Sequence, residues 1–439
     1  MLKTSTIQAV RDLAVADVIG RYIELKKKGA NYLATSPFTD EKTPSFTVFP
    51  RNNNFKCFSS GKQGDGIAFA MEYNKLEFYE AILEIAQAHG IPIEEEDLTP
   101  KQKEKRQKEY DEFKEIRKVM EYAKSHYLTN PIPEEWMKNL KYKEDLLSKF
   151  QVGYGSGSTL LVDDAIKAGF STDLLKKAGL LRNVLDMPTG QASKKVWVQV
   201  DAYADRVIFP ILDTKGNTVA FTARYNGNDE KAPKYINSPS SVWEKGRYLY
   251  GLYQAQDSIR KANKVYLVEG PTDVIAMHRW GIDNTVCPCG TALTDDQCKL
   301  LRRYTDNVCI VPDNDLEKED SPGMKALERN ALLLLKHGLF VSVLIPGTDK
   351  QVTSTDPDSF LRKIIHTDNV KKWLDKEERY IEDYFVKVCM SKAALGAKEK
   401  GEAFSNMVAI IESIQDDVFR QAYYDSVCND WPYFKKHKL

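Results

Sequence analysis

With 439 residues, 42% of them hydrophobic and 29% charged, the chain can hold two or three domains with sizeable cores and has an ordinary globular composition. No apolar stretch is long enough to cross a bilayer and no signal-peptide core opens the chain, so we expect a cytoplasmic protein without a membrane partner. The 63 basic residues are balanced by 63 acidic ones, so the chain is not a generally basic nucleic-acid binder and any such surface has to be a local patch.

Ile7 to Val18 has helical spacing and leads towards a basic run, Lys26 to Lys28. Residues 31–60 change character, with Tyr32, Phe38, Phe46, Phe49, Phe55 and Phe58 in short extended pieces between turns rich in Asn, Ser and Pro. This predicts a small antiparallel sheet. Lys42, Arg51, Lys56 and Lys62 alternate with the rings, as a stacking platform for single-stranded bases requires, although any one ring taken alone reads better as core. Ile67 to Ala88 predicts two amphipathic helical segments. Residues 94–118, poor in apolar side chains, read as a solvated linker or an exposed helix laced with charge pairs.

Helical patterns recur at 118–129, 144–149 and 172–181. Val207 to Leu212 and Thr218 to Arg224 predict two strands joined through Asp213 to Asn217. The stretch from Lys264 to Asp315 organises the rest. Its first apolar run, Val265 to Val268, stops at Glu269; Gly270 and Pro271 then turn into a helix carrying Asp273. A second run, Val308 to Val311, stops at Asp313 and Asp315, and helical patterns occupy Leu293 to Tyr304 and Met324 to His337. Strands alternating with helices imply a parallel sheet with crossovers, whose ligands bind at the carboxyl ends of the strands. Glu269, Asp273, Asp313 and Asp315 therefore gather at one edge. Converging carboxylates resist ionisation unless a hard dication neutralises them, and magnesium fits. Seven scattered cysteines do not read as a disulfide framework; Cys287 and Cys289, without another ligand at metal spacing, read as small core residues. From 370 the pattern is helical, with Met407, Ile410, Ile411, Ile414 and Val418 on one face. No GxxxxGK[ST] motif marks a P-loop helicase.

The run SPFTDEKTPSFTVFP…NFKCFSSGKQGDGIAFAM resembles the N-terminal zinc ribbon of bacterial DnaG-type primases. That family's pattern is Cys-Pro-Phe-His-x-Glu-Lys-Thr-Pro-Ser-Phe, then Cys-Phe-x-Cys-Gly and a Gly-Asp pair. Ser36 stands at the first cysteine, Thr39 at the histidine and Ser60 at the last cysteine; only Cys57 matches. Neutral hydroxyls do not replace thiolate and imidazole, so zinc is not expected. Residues 204–255 resemble the segment before the toprim fold in the same family, through RVIFPI, the arginine closing the next strand, PKYINSP and KGRYLYGL. On that resemblance Arg206, Arg224, Lys234, Asn237 and Lys245 line the template and nucleotide groove, for which their charges and amide are suited. A structural ion pair is the competing reading for Arg206 or Arg224. Residues 264–365 resemble the toprim fold: EGPTD stands for Glu-Gly-x-x-Asp, Asp313-Asn314-Asp315 for Asp-x-Asp with Asn where Gly is usual, and Asp356-Pro357-Asp358 for a later acidic motif.

The resemblance implies an α+β and α/β multidomain chain. A small antiparallel zinc-ribbon-like domain would occupy 1–93 and a charged linker 94–117. The α+β N-terminal subdomain of a primase core would follow at 118–260, a toprim subdomain with a parallel sheet at 261–368 and a helical cap at 369–439. It further implies a DNA-dependent RNA primase making short primers on single-stranded DNA from NTPs. Glu269, Asp313 and Asp315 would be catalytic, and Asp273, Asp356 and Asp358 would complete the set holding magnesium or manganese. A replicative helicase is a family partner, but no complete helicase-binding domain is expected before 439. Two other readings compete. A toprim nuclease would use the same carboxylates to activate water, against the primase-like region before the toprim fold. A non-catalytic single-strand binding or partner-recruiting protein is suggested by the lost zinc ligands, against the intact acidic set.

Overall fold

The computed structural model describes the chain apart from residues 1, 40, 75, 77, 95–99, 136, 138–143, 158–159, 187–195, 226, 228, 230, 291, 314–321, 346–369, 371–373, 375–377, 384, 387–395, 415–416, 432–433 and 435–439. It divides into two units, Met1–Tyr110 and Asp111–Leu439.

In the first unit, β1 (Lys26–Lys28), β2 (Asn31–Ala34), β3 (Phe46–Phe49), β4 (Asn54–Cys57) and β5 (Gln63–Gly64) pair antiparallel in chain order. Phe46 lies opposite Cys57 and Val48 opposite Phe55, so these four share a face, and that face is buried. Phe46 and Phe55 stack at 5.1 Å, and Phe69 meets both edge-on. The expected stacking platform is corrected by this arrangement. Of the six rings between 32 and 58 only Phe58 is exposed, at 62%, with the Lys56 ammonium 5.5 Å from its centre. A strand buries alternate residues, and in so small a sheet the aromatics supply the largest apolar surface to bury.

Helices α1 (Thr4–Arg11), α2 (Val15–Ile19), α3 (Gly66–Asn74) and α4 (Phe78–Ala88) complete this unit. The helical pattern from Ile7 to Val18 is thus broken in two. Asn53, in the left-handed conformation, serves the break: its side chain accepts from Val15 N–H at 2.7 Å and donates to the carbonyls of Arg11 and Leu13. The charged run is helical, α5 (Pro100–Thr129), with pairs such as Lys108–Glu104 at 2.7 Å along its surface, and the division between units falls inside it.

The second unit continues with α6 (Glu144–Phe150), β6 (Gly153–Tyr154), α7 (Leu160–Lys167), α8 (Thr172–Lys177) and a separate hairpin of β7 (Leu181–Asp186) and β8 (Val196–Asp201). Strands β9 (Arg206–Leu212), β10 (Thr218–Tyr225) and β11 (Tyr235–Asn237) join β6 in an antiparallel sheet of order β11-β10-β9-β6. Ile208, Phe221 and Ala223 on one face pack with Val119, Met120 and Tyr127 of α5. Val207, Phe209 and Ile211 on the other pack with Tyr266 of the next sheet and with Val274 and Ile275 of the helix that follows it.

That sheet has six strands, β12 (Leu249–Tyr250), β13 (Val265–Leu267), β14 (Thr285–Pro288), β15 (Asn307–Ile310), β16 (Phe340–Val343) and β17 (Arg379–Tyr380), ordered β12-β14-β13-β15-β16-β17. The inner four are parallel and the two edges antiparallel. Helices α9 (Leu252–Ala262), α10 (Pro271–Arg279), α11 (Asp295–Arg302) and α12 (Pro322–Lys336) alternate with them. Both faces of the inner strands are covered, so β13, β14, β15 and β16 are buried along most of their length and do not alternate. Val265, Leu267 and Ile310 pack with Met407, Ile411 and Ile414 near α13 (Ala397–Glu412) and with Tyr423 of α14 (Asp417–Asp430). Val418, expected on the same apolar face, is 82% exposed instead. The period is reset where α13 ends at Glu412 and α14 begins at Asp417.

The fold is therefore mixed α/β and multidomain, with an antiparallel N-terminal sheet and a mixed sheet built on parallel strands. Among the described residues every cysteine is a free thiol; of the pair expected in the core, Cys287 is fully buried and Cys289 is half-buried against the same cluster. No helix among them is long and apolar enough to cross a membrane.

Candidate active site

β13 and β15 are adjacent and parallel, with Leu267 beside Ile310, and the pairing continues past the strands as Val311 N–H bonds to the Leu267 carbonyl. Two residues further on each chain stand Glu269 and Asp313. The Asp313 N–H donates to Glu269 Oε1 at 3.1 Å, which brings carboxylates 44 positions apart to one sheet edge. Asp273 belongs to the same edge for a local reason. Pro271 starts α10, and the Asp273 carboxylate reaches back to accept the Gly270 N–H at 3.0 Å. Gly270 has no side chain to complete a reciprocal capping box, so Asp273 alone satisfies the helix start and sits at its positive end. Asp315, Asp356 and Asp358 lie outside the described residues. Among the described residues no three Asp, Glu, His or Cys side chains converge closely enough to enclose a metal. The donors that do meet are all oxygens, the chemistry a hard dication takes.

The strand register separates the two arginines expected to act together. Arg224 lies opposite Val207 and Tyr235, whereas Arg206 lies opposite Tyr225. Directly opposed residues share a face, so Arg206 and Arg224 project from opposite faces of the sheet. Arg206 is buried, donates to the Pro233 carbonyl at 2.8 Å and lies 5.1 Å over the Tyr225 ring. Burial, with Arg182 nearby, pulls its pKa down. Arg224 shares its face with Val207, the one packed on the six-stranded sheet. Its guanidinium is 5.9 Å from the Tyr235 ring, and the Tyr235 hydroxyl hydrogen-bonds Thr272 in the first turn of α10, beside Asp273. Burial pushes that phenol up, while the charge of Arg224 opposes the shift. Asn237, opposite Thr222, shares this face. Lys234 is exposed beside Tyr235.

Lys245 lies just ahead of β12, the edge strand beside β14. It opens the turn Lys245–Arg247, which α11 holds through its N-terminal capping box. Thr294 Oγ accepts the Gln297 N–H and donates to the Gly246 carbonyl, while Gln297 Nε2 donates to the carbonyls of Tyr248 at 2.7 Å and Lys245 at 3.3 Å. The ammonium is exposed, yet its charge is felt at Cys289, just past β14. Burial pushes that thiol up to about 12; a hydrogen bond to the Tyr250 backbone and the charge of Lys245 act against the rise.

Two supports of this site were not among the residues singled out from sequence. Tyr235 sits between Lys234 and Asn237, and only its pairing with Arg224 gives it a role. Thr294 and Gln297 carry the T-x-x-Q signature of a helix start, which is legible, but what Gln297 grips lies 49 residues away at Tyr248. At the opposite end of the strands, Lys149 bonds Asp283 at 2.8 Å, and His278, stacked edge-on against Phe150, meets the same carboxylate at 3.0 Å. This cluster ties α6 to α10 and stands away from the carboxylate edge.

Residues 2–101 match the family described as CHC2 zinc finger, residues 124–256 the N-terminal domain of the DNA primase catalytic core, and residues 263–345 the Toprim domain. A DNA primase of Aquifex aeolicus is 34% identical over 355 residues, 80% of this chain and 65% of that one. A DNA primase of Synechocystis sp. is 30% identical over 442 residues, 98% of this chain and 67% of that one. The chain spans 46 to 67% of the length of the curated relatives it matches. The solved structure of the Aquifex aeolicus primase, comprising zinc-binding and RNA polymerase domains, covers 97% of both chains at 29% identity, with a TM-score of 0.58. With the carboxylate edge of a toprim sheet, a primase-core subdomain before it and these matches along its length, the chain belongs to the bacterial DnaG-type DNA primase family.

Proposed function

We propose that this chain is a DNA-dependent RNA primase, joining NTPs into short RNA on a single-stranded DNA template. One observation carries the reading: Glu269 and Asp313, from adjacent parallel strands, are bonded together at the carboxyl edge. Glu269, Asp313 and Asp315 are the catalytic carboxylates, and with Asp273, Asp356 and Asp358 they are the residues to hold magnesium or manganese. Such a dication, when bound, supplies Lewis acidity toward the attacking 3′ hydroxyl and charge for the pyrophosphate leaving group. The chain's own part is alignment. The Asp313 main chain fixes the Glu269 side chain, and the start of α10 fixes Asp273. Arg224, Lys234 and Lys245 would anchor phosphates, and Asn237 would offer donor and acceptor to a base or sugar. Arg206 acts as a positioning residue, holding the chain at Pro233 next to Lys234.

The domain limits 1–93, 94–117, 118–260, 261–368 and 369–439 belong to this reading, as do a cytoplasmic location and a helicase partner. So does a first domain without zinc, because Ser36, Thr39, Cys57 and Ser60 offer one thiol and three neutral hydroxyls where zinc takes thiolate and imidazole. One zinc per chain by elemental analysis would overturn that part alone.

Incubation with single-stranded template, NTPs and magnesium tests the activity. Template-dependent oligoribonucleotides are expected. They should disappear in Asp313→Asn while single-strand binding persists. Cut DNA without new RNA would support the toprim nuclease, and binding with neither product a non-catalytic role.

A further inference from the structure

The four positions that hold zinc in the family pattern are not empty of interactions here. Ser36 closes the turn after β2 by accepting the N–H groups of Phe38 and Thr39 at 3.1 and 3.2 Å. Its hydroxyl oxygen is 3.1 Å from the Cys57 sulfur. That sulfur, wholly buried, is also 3.3 Å from Ser59 Oγ in the second turn. Ser59 in turn meets Thr39 Oγ1 at 2.8 Å and Ser45 Oγ at 2.7 Å. The series closes on one charged acceptor, since Glu41 Oε1 receives both the Ser36 N–H at 2.9 Å and the Ser45 hydroxyl at 2.5 Å. Contacts thus cross between the two turns from Ser36 to Cys57, from Thr39 to Ser59 and from Ser45 to Ser59 and Cys57, beside the main-chain bond from Phe58 N–H to the Ser45 carbonyl. A tetrahedral zinc would fasten these same two turns.

We infer that this hydrogen-bonded knot, anchored on Glu41, has taken over the structural task of the zinc, so that the N-terminal sheet closes independently of metal. The inference rests on the zinc-free reading of the domain and adds what replaces the ion. A zinc ribbon folds because bond energy to the metal offsets the disorder of two loops. Here the hydroxyls supply the cross-links, and the cluster of Phe46, Phe55 and Phe69 beneath them supplies the burial. A chelator has nothing to remove from hydroxyls, so the fold of this sheet is indifferent to chelation, and Cys57, buried, is the one oxidisable group in the knot. Serine hydrogen bonds hold the Glu41 carboxyl below its ordinary range, which keeps the anchor charged.

Amide hydrogen exchange over residues 31–64 in the full chain tests the knot. Protection there should be the same with and without a strong zinc chelator. Glu41→Ala should raise exchange about tenfold in this region, with Ser45→Ala smaller, and leave residues 111–439 unchanged. Rebuilding the ligand set with Ser36→Cys, Thr39→His and Ser60→Cys should give a chain that binds one zinc. In that zinc-loaded background Glu41→Ala should cost no protection. Unchanged exchange in Glu41→Ala, an undiminished Glu41 effect in the zinc-loaded chain, or a rebuilt chain that takes no zinc would each overturn the inference. Zinc in the purified natural chain would instead overturn the metal-free reading on which it rests.

Discussion

The two regions of this chain for which we propose a dication site and a metal-free ribbon are held together by different means. At the toprim edge the carboxylates remain, and strand pairing and a helix start hold Glu269, Asp273 and Asp313 in place. In the N-terminal sheet three of four ligand types are gone and the geometry around them is hydrogen-bonded shut. The difference follows from what each metal does. A structural ion contributes folding free energy, and aromatic packing with a hydroxyl network can contribute the same quantity. A dication at the reacting atoms supplies charge at one point in space, and no packing elsewhere substitutes for it.

The contrast breaks most directly at the toprim edge. Asp313→Asn should reduce primer synthesis by about 100- to 1,000-fold or more, read as initial rates. The fold should survive, because the bond to Glu269 uses the main-chain N–H. If single-strand binding is lost along with synthesis, the edge is structural and the contrast fails. On the other side, Phe46→Ala should cost about 3–5 kcal/mol, confined to the first unit in a denaturant titration followed by hydrogen exchange. An equal loss across residues 111–439 would mean that the sheet is not held by its own core. A smaller effect is expected at the support of Lys245. Thr294→Ala should cost about 1 kcal/mol of stability and raise the KM for NTPs more than it lowers kcat. The smallest effect is acid sensitivity of the knot. Hydrogen bonds from Ser45 and Ser36 lower the pKa of Glu41 from its ordinary 4.5. Its contribution is therefore fully present above that value and is lost as pH falls through the lower folded one. Exchange protection over 31–64 should weaken on acidification below pH 4.5, and Glu41→Gln should flatten the dependence.

Much of the toprim half is legible because its signals are local. An apolar run stopped by a carboxylate, followed by Gly-Pro and an acid three residues later, describes a strand, a turn and a capped helix in adjacent residues. The arginine pair was not legible in that way. Whether Arg206 and Arg224 share a face depends on which residue of β9 meets which residue of β10, and one residue of register reverses the answer. The rings of the first unit and Val418 failed for related reasons. Spacing shows that a face exists, but burial depends on what covers it and on where the period is interrupted.

By themselves the residues determined the family, the serines and threonine at three ribbon ligand positions and the convergence of Glu269 and Asp313, since strand ends and residue types are properties of short segments. Only tertiary structure decided the knot of Ser36, Cys57, Ser59 and Glu41, the separation of the two arginines and the bridge from Arg224 through Tyr235 to Thr272. These depend on distances between loops and strands many residues apart, which the packing of the whole domain sets.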